Sequence, residues 1–161
     1  MPRRIPIVFA MVKRMKKTVW RTDTRVFNVG EVIESAGDHL KTLSGSHVRT
    51  EMELRIAMGD RSVVRSKSLY TWEDEDWARR AWALDGLKHL YKLEVDVADI
   101  QHRGDVNHYT DIGGAINSGM STADAIGKYL SGDESNRLEY TRARFEILVS
   151  KARVLEKHCP T

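Results

Sequence analysis

Leu90-Tyr91-Lys92-Leu93-Glu94-Val95-Asp96-Val97 decides the fold class. Tyr91, Leu93, Val95 and Val97 alternate with Lys92, Glu94 and Asp96, and a period of two places one set on a buried face and the other in water. The stretch therefore reads as a strand with one face buried, which counts against an all-helical chain. Working outward, Thr18 to Arg21 reads as a strand, and Phe27 to Ile33 carries apolar residues on both sides of the turn-capable Gly30. Val48 to Met58 alternates at Met52, Leu54, Ile56 and Met58, yet its Glu, Arg, Met and Ala content favours a helix.

Arg65 to Trp72 reads as a second strand. Thr71-Trp72-Glu73-Asp74 then has the form of a capping box, predicting a helix through Trp82 or Leu84 with Trp77 and Trp82 on its core face. Downstream of Val97, Ser121-Thr122-Ala123-Asp124 repeats the capping pattern, and the stripe Ala123, Ile126, Tyr129 and Leu130 runs to Gly132 as a helix. Phe145, Ile147 and Val149 alternate again, and Val154 and Leu155 extend the apolar pattern into one or two closing strands. Strands, helices and strands again without a βαβ rhythm argue for α+β with a mixed or largely antiparallel sheet.

The chain has 161 residues, 41% hydrophobic and 30% charged, which suits one domain with a single core. Its net charge of +3 is local: Arg3, Arg4, Lys13, Arg14, Lys16 and Lys17 stand without an acid among the first 17 residues. In the rest, 20 basic residues face 23 acidic ones. The expected organisation is a basic arm or strand over residues 1–17 and one domain over 18–161, the arm meeting solvent or making a weak contact with an anionic partner. The apolar run Ile5 to Val12 is too short to span a bilayer and lacks the form of a secretory signal, so it reads as a strand. No membrane partner is expected. The lone Cys159 allows no internal disulfide and suits a cytoplasmic location.

Phosphate-loop, dinucleotide-fingerprint and nucleophile-elbow patterns do not occur. His102, Asp105 and His108 fall in what reads as a polar loop and lack the spacing that presets a metal shell, so no metal is expected. The chemistry-bearing stretch is Val19-Trp20-Arg21-Thr22-Asp23-Thr24-Arg25. An arginine at a strand end presents a rigid fork of donors suited to a diphosphate, and Asp23 two residues on can orient it. On that segment alone, a surface ion pair between Asp23 and Arg21 or Arg25 is the plainer reading.

Four pieces stand in order: Trp20 to Arg25; His39 or His47 in the following loop; Arg65-Ser66-Lys67-Ser68-Leu69-Tyr70-Thr71; and Leu138-Glu139-Tyr140. This order resembles the ADP-ribosyltransferase superfamily, and the first piece is similar to the Tyr-Arg-x-Asp-Ser-Arg of its cholera and pertussis toxin branch, with Trp20 in place of the Tyr. The resemblance implies a split sheet flanked by helices and an NAD-dependent ADP-ribosyltransferase or NAD glycohydrolase. NAD would be the co-substrate, and the acceptor a macromolecule, protein or nucleic acid. It implies that Arg21 grips the dinucleotide with Asp23 as support, and that Ser68 and Tyr70 line the nicotinamide pocket. His39 or His47 would act on the ribose side, and Glu139 would be the catalytic carboxylate. The outer Glu or Gln usual two residues before that carboxylate is Arg137 here, which tells against an arginine acceptor. The spacing after Phe27 also resembles the rifampin-modifying branch, which would add Asp105 to the site. A rival reading takes Ser121 to Leu130, Gly132 and Ser135 to Arg144 as a helix-turn-helix exposing Arg137, Arg142 and Arg144, in a nucleic-acid-binding module with the basic arm.

Overall fold

The computed structural model describes residues 15–137 and 142–160. Seven strands form one sheet: β1 Lys16–Asp23, β2 Val32–Ile33, β3 Leu69–Trp72, β4 His89–Asp96, β5 Ile100–Asp105, β6 Phe145–Val149 and β7 Ala152–His158. Their order is β2-β7-β4-β1-β3-β6-β5, and every neighbouring pair is antiparallel. Among the described residues five α-helices accompany it: α1 Ser46–Met58, α2 Val63–Lys67, α3 Glu75–Leu84, α4 Val106–Asn117 and α5 Ala123–Ser131. The architecture is α+β, a single compact domain.

The sheet is unevenly stitched. β1 pairs with β4 along its whole length, from Lys16 opposite Asp96 to Asp23 opposite His89. Against β3 it keeps a single registered pair, Trp20 with Trp72, so the two strands diverge from that point within the one sheet. Alternation puts Val19, Leu69, Tyr91, Leu93, Val95, Ile147, Val149 and Val154 into one buried cluster. A second cluster, Leu54, Ile112, Ile126 and Tyr129, joins α1, α4 and α5. Burying a Leu or Ile side chain contributes about 1.5–3 kcal/mol, so both clusters matter to stability.

The alternating strand is present over His89–Asp96 with Tyr91, Leu93 and Val95 buried, while Val97, expected on the same face, falls in the 3-10 turn that follows and is exposed. Val48 to Met58 lies within α1: Thr50, Glu51 and Leu54 face inward at helical spacing, while Met52 and Ile56 of the alternating set are exposed. The helix ending at Gly132 forms, with that glycine at φ +78 as its left-handed stop. The Ser121 hydroxyl accepts from the Ala123 N–H at its start.

Other expectations change. The strand expected from Arg65 begins only at Leu69, because Arg65 to Lys67 complete α2 and the Ser68 N–H bonds the Val64 carbonyl. The cap of α3 is Asp74, whose carboxylate accepts from the Asp76 N–H, while the Thr71 hydroxyl donates to the Ile147 carbonyl inside the sheet. His102 and Asp105 lie on β5 and His108 on α4, not in a polar loop, because β5 pairs with β6 and Asp105 caps α4. Of Phe27 to Ile33 only Val32–Ile33 is strand, and Gly30 at φ +94 turns the chain into it. Lys16 and Lys17 belong to β1 and pair with Asp96 and Glu73. The run Ile5 to Val12 lies outside the described residues. Trp77 and Trp82 are half-buried, and their indole N–H groups donate to the Ala143 and Lys88 carbonyls. No helix among the described residues is long and apolar enough to cross a membrane.

Candidate functional site

Where the sheet forks, a cleft of ≈ 700 Å³ lies between the end of β1 and β3. Arg21, Asp23 and Arg25 line it from β1 and the turn after it. Asp38 and His39 line it from the following loop, Ser68 and Tyr70 from the start of β3, and Glu146 from β6.

Arg21 bridges the fork. Its Nε donates to Asp23 Oδ2 at 2.8 Å and its Nη1 to the Tyr70 carbonyl at 2.7 Å, supplying a donor to β3 where the ladder to β1 has ended. Asp23 is 5% exposed. It also accepts from the Arg25 backbone N–H at 2.9 Å and from Arg25 Nη2 at 2.9 Å. Burial pushes this carboxyl up, but the Arg25 bonds and the Arg21 charge outweigh it and hold it below its ordinary value. Asp23 is thus an ionised anchor for two guanidiniums, a more buried arrangement than the surface pair expected from the segment alone. Arg25 further donates to the Glu34 carbonyl and covers the Phe27 ring at 4.8 Å.

On the facing wall, the His39 imidazole stacks on the Tyr70 ring, with centroids 4.1 Å apart and planes at 29°. Asp38 caps the 3-10 turn His39–Thr42 and pairs with Arg55 of α1, which fixes the loop that delivers His39. Burial holds the His39 imidazole below its ordinary value, which favours its neutral form. The Tyr70 hydroxyl donates to the Arg65 carbonyl at 2.6 Å, and burial pushes its phenol up.

Glu146 leads inward to a buried charge network. Its Oε1 accepts from the Tyr129 hydroxyl at 2.5 Å and from Arg65 Nη1 at 3.0 Å. Arg65, 2% exposed, also gives Nε and Nη2 to the two oxygens of Glu51 at 2.7 and 2.8 Å, a bidentate pair. Glu51 is fully buried and accepts from Arg55 and from the Tyr109 hydroxyl as well. Burial raises the Glu51 carboxyl, but the Arg65 bonds and charge bring it below its ordinary value. The network runs from the cleft to the helical layer, and its contacts hold Glu146 at the cleft wall.

Five sequence-derived candidates therefore share one cleft: Arg21, Asp23, His39, Ser68 and Tyr70. Asp105 stands apart from it. Fully buried, it accepts from the backbone N–H groups of Asn107, Ser135 and Arg144, and so ties the start of α4 to the chain before β6. His47 is exposed in the first turn of α1. Glu139 lies outside the described residues. Residues 135–137 and 142–144, which flank it, are not helical, and Arg144 is held by Asn107 and Thr110. Glu146 is the cleft residue the motif reading passed over. Its signal was the acid interrupting the alternation of Phe145, Ile147 and Val149, which sets it on the other side of the strand.

Family models, curated proteins and solved structures give no match to this chain. The cleft is therefore interpreted through its own chemistry. Among the described residues no group of three or more His, Cys, Asp or Glu could hold a metal ion. The cleft offers a pre-oriented guanidinium, a stacked aromatic pair and a carboxylate 15% exposed. Such a set suits an anionic ligand that carries a flat ring.

Proposed function

We propose that the protein binds NAD in this cleft, cleaves the nicotinamide–ribose bond and transfers ADP-ribose to a macromolecular acceptor, protein or nucleic acid. With water as acceptor, the same site would act as an NAD glycohydrolase. On this reading the forked sheet is the split sheet of an ADP-ribosyltransferase. The supporting observation is that Arg21 with Asp23, His39, Ser68 and Tyr70, drawn from separated stretches of sequence, line one cleft together with Glu146.

Arg21 holds the diphosphate by charge-assisted bonds. Asp23 and the Tyr70 carbonyl have already oriented its guanidinium, so little freedom is lost on binding. Tyr70 and His39 offer ring faces to the nicotinamide side. As the C1′–N bond breaks, its electron pair leaves with nicotinamide and positive charge builds on the ribose. A carboxylate opposes that charge only once it forms, which lowers the barrier rather than tightening the ground state. The acceptor then attacks C1′ and gives up its proton. We assign the carboxylate to Glu146. The family pattern selects Glu139 instead, and a direct comparison separates the two.

Wild type, Arg21→Ala, Glu139→Gln and Glu146→Gln are each incubated with NAD, alone and with cell lysate, and free nicotinamide is measured. The wild type releases nicotinamide. Arg21→Ala raises KM, and Glu146→Gln lowers kcat by about 100-fold or more, in the range lost with a transition-state electrostatic group. A comparable loss in Glu139→Gln with an active Glu146→Gln moves the role to Glu139. No nicotinamide from wild type even with lysate overturns the proposal.

A further inference from the structure

Glu146 is held from behind by a hydroxyl that the site's chemistry leaves unused. Tyr129, on α5, is completely buried, and its ring packs with Leu54, Ile112 and Ile126. Its hydroxyl accepts from Arg65 Nη1 at 2.5 Å and donates to Glu146 Oε1 at 2.5 Å. Arg65 reaches the same Oε1 at 3.0 Å, so two donors converge on one oxygen. No hydrogen bond among the described residues engages Oε2, and Glu146 lines the cleft. The ring itself is closely seated on β5. A Cβ built on Gly104 would lie 2.5 Å from the Tyr129 ring, and the His102 ring packs beside it at 4.9 Å between centroids. Burial pushes the phenol well up, which keeps the proton on the hydroxyl at neutral pH.

We propose that Tyr129 is a positioning residue for the proposed reaction: its hydroxyl, aimed by the glycine seat on β5, fixes the Glu146 carboxylate so that Oε2 faces the bond to be broken. The assignment rests on the NAD reading of the cleft. A carboxylate held at one oxygen by two donors cannot turn about its terminal torsion, and that torsion is otherwise broad. Removing the hydroxyl leaves Oε1 on the Arg65 bond alone and loosens that rotation without removing the charge, so the loss falls on kcat rather than on NAD binding.

The test compares Tyr129→Phe with Tyr109→Phe in the full chain. Both remove one hydroxyl from the same network, but the half-buried Tyr109 donates to Glu51 and does not touch Glu146. Tyr129→Phe is expected to lower kcat for nicotinamide release at least about tenfold with KM for NAD unchanged, the size lost with a hydrogen bond to a charged group. Tyr109→Phe is expected to keep kcat within about threefold, because its hydroxyl lies three hydrogen bonds from the Glu146 carboxylate, through Glu51 and Arg65. Equal kcat losses in the two variants, or a loss expressed in KM, overturn the assignment. The carboxyl carbon resonance of Glu146, assigned with Glu146→Gln, supplies a readout independent of turnover. It is expected to shift in Tyr129→Phe and stay in place in Tyr109→Phe, and an unmoved resonance in both refutes the positioning contact. A wild type that releases no nicotinamide while that resonance shifts as expected sinks the NAD reading and leaves the contact standing.

Discussion

Replacing Arg65 by Met tests the buried network where it carries most charge. The side chain is 2% exposed and gives three donors to Glu51 and Glu146, with the rings of Tyr70, Tyr109 and Tyr129 lying 5.1 to 5.4 Å from its guanidinium. Met fills similar apolar space but leaves Glu51 buried with less compensation. Breaking a buried pair by removing one partner costs about 3–5 kcal/mol. Here Arg55 Nε at 3.0 Å and the Tyr109 hydroxyl at 2.9 Å still serve Glu51, so the lower end applies, about 3 kcal/mol. For a chain of this size that corresponds to a fall in Tm of roughly 6–12 °C. Urea unfolding at pH 7 measures the loss directly. Glu51→Leu combined with Arg65→Met is expected to recover part of it, since the orphaned charge is gone. The dependence on pH has a defined sign. The folded Glu51 carboxyl lies below its ordinary value of 4.5, so the stability it contributes is complete above that value and is lost as pH falls through the lower folded one. The gap between wild type and Arg65→Met should therefore narrow below about pH 4. A single-variant loss under about 1 kcal/mol at pH 7, or a gap that widens on acidification, would refute the reasoning.

Two further outcomes follow from the same contacts. Gly104→Ala places a methyl group into the Tyr129 ring, which is buried and cannot swing aside, so it should cost about 1–3 kcal/mol by overpacking. Thermal unfolding identical to wild type would show that β5 and α5 yield more than this packing allows. Asp23→Asn removes the anchor of Arg21 and Arg25 and should weaken NAD binding by about tenfold, read by titration calorimetry. Because the folded Asp23 carboxyl is depressed, its stabilising contribution is present above the ordinary aspartate value and disappears as pH falls through the lower folded one. Wild type should accordingly lose stability faster than Asp23→Asn below about pH 4, and parallel acid-unfolding curves would contradict this.

The parts legible in the sequence were those with local causes. The alternation of β4, the glycine stop of α5 and the pairing of Asp23 with Arg21 each depend on residues within a few positions of one another. What escaped depends on distant partners. Arg65 reads as part of a strand until Glu51, fourteen residues away, draws it into a buried pair and its own segment closes as a helix. β5 reads as a polar loop because Gly104 and Asp105 have no apolar pattern, although one seats Tyr129 and the other binds three backbone N–H groups. Glu146 carries no motif. Its role emerges only when β6 lies beside β3 and Tyr129 reaches it from α5.

The claim that joins these observations is that the forked sheet forms an NAD site. It is tested most directly by incubating wild-type protein and lysate with NAD labelled in its adenine, and following both free nicotinamide and label in macromolecular material. The account predicts that nicotinamide is released as label becomes covalently attached, and that Glu146→Gln slows both by about 100-fold or more. Intact NAD after prolonged incubation, with no label transferred, would contradict it.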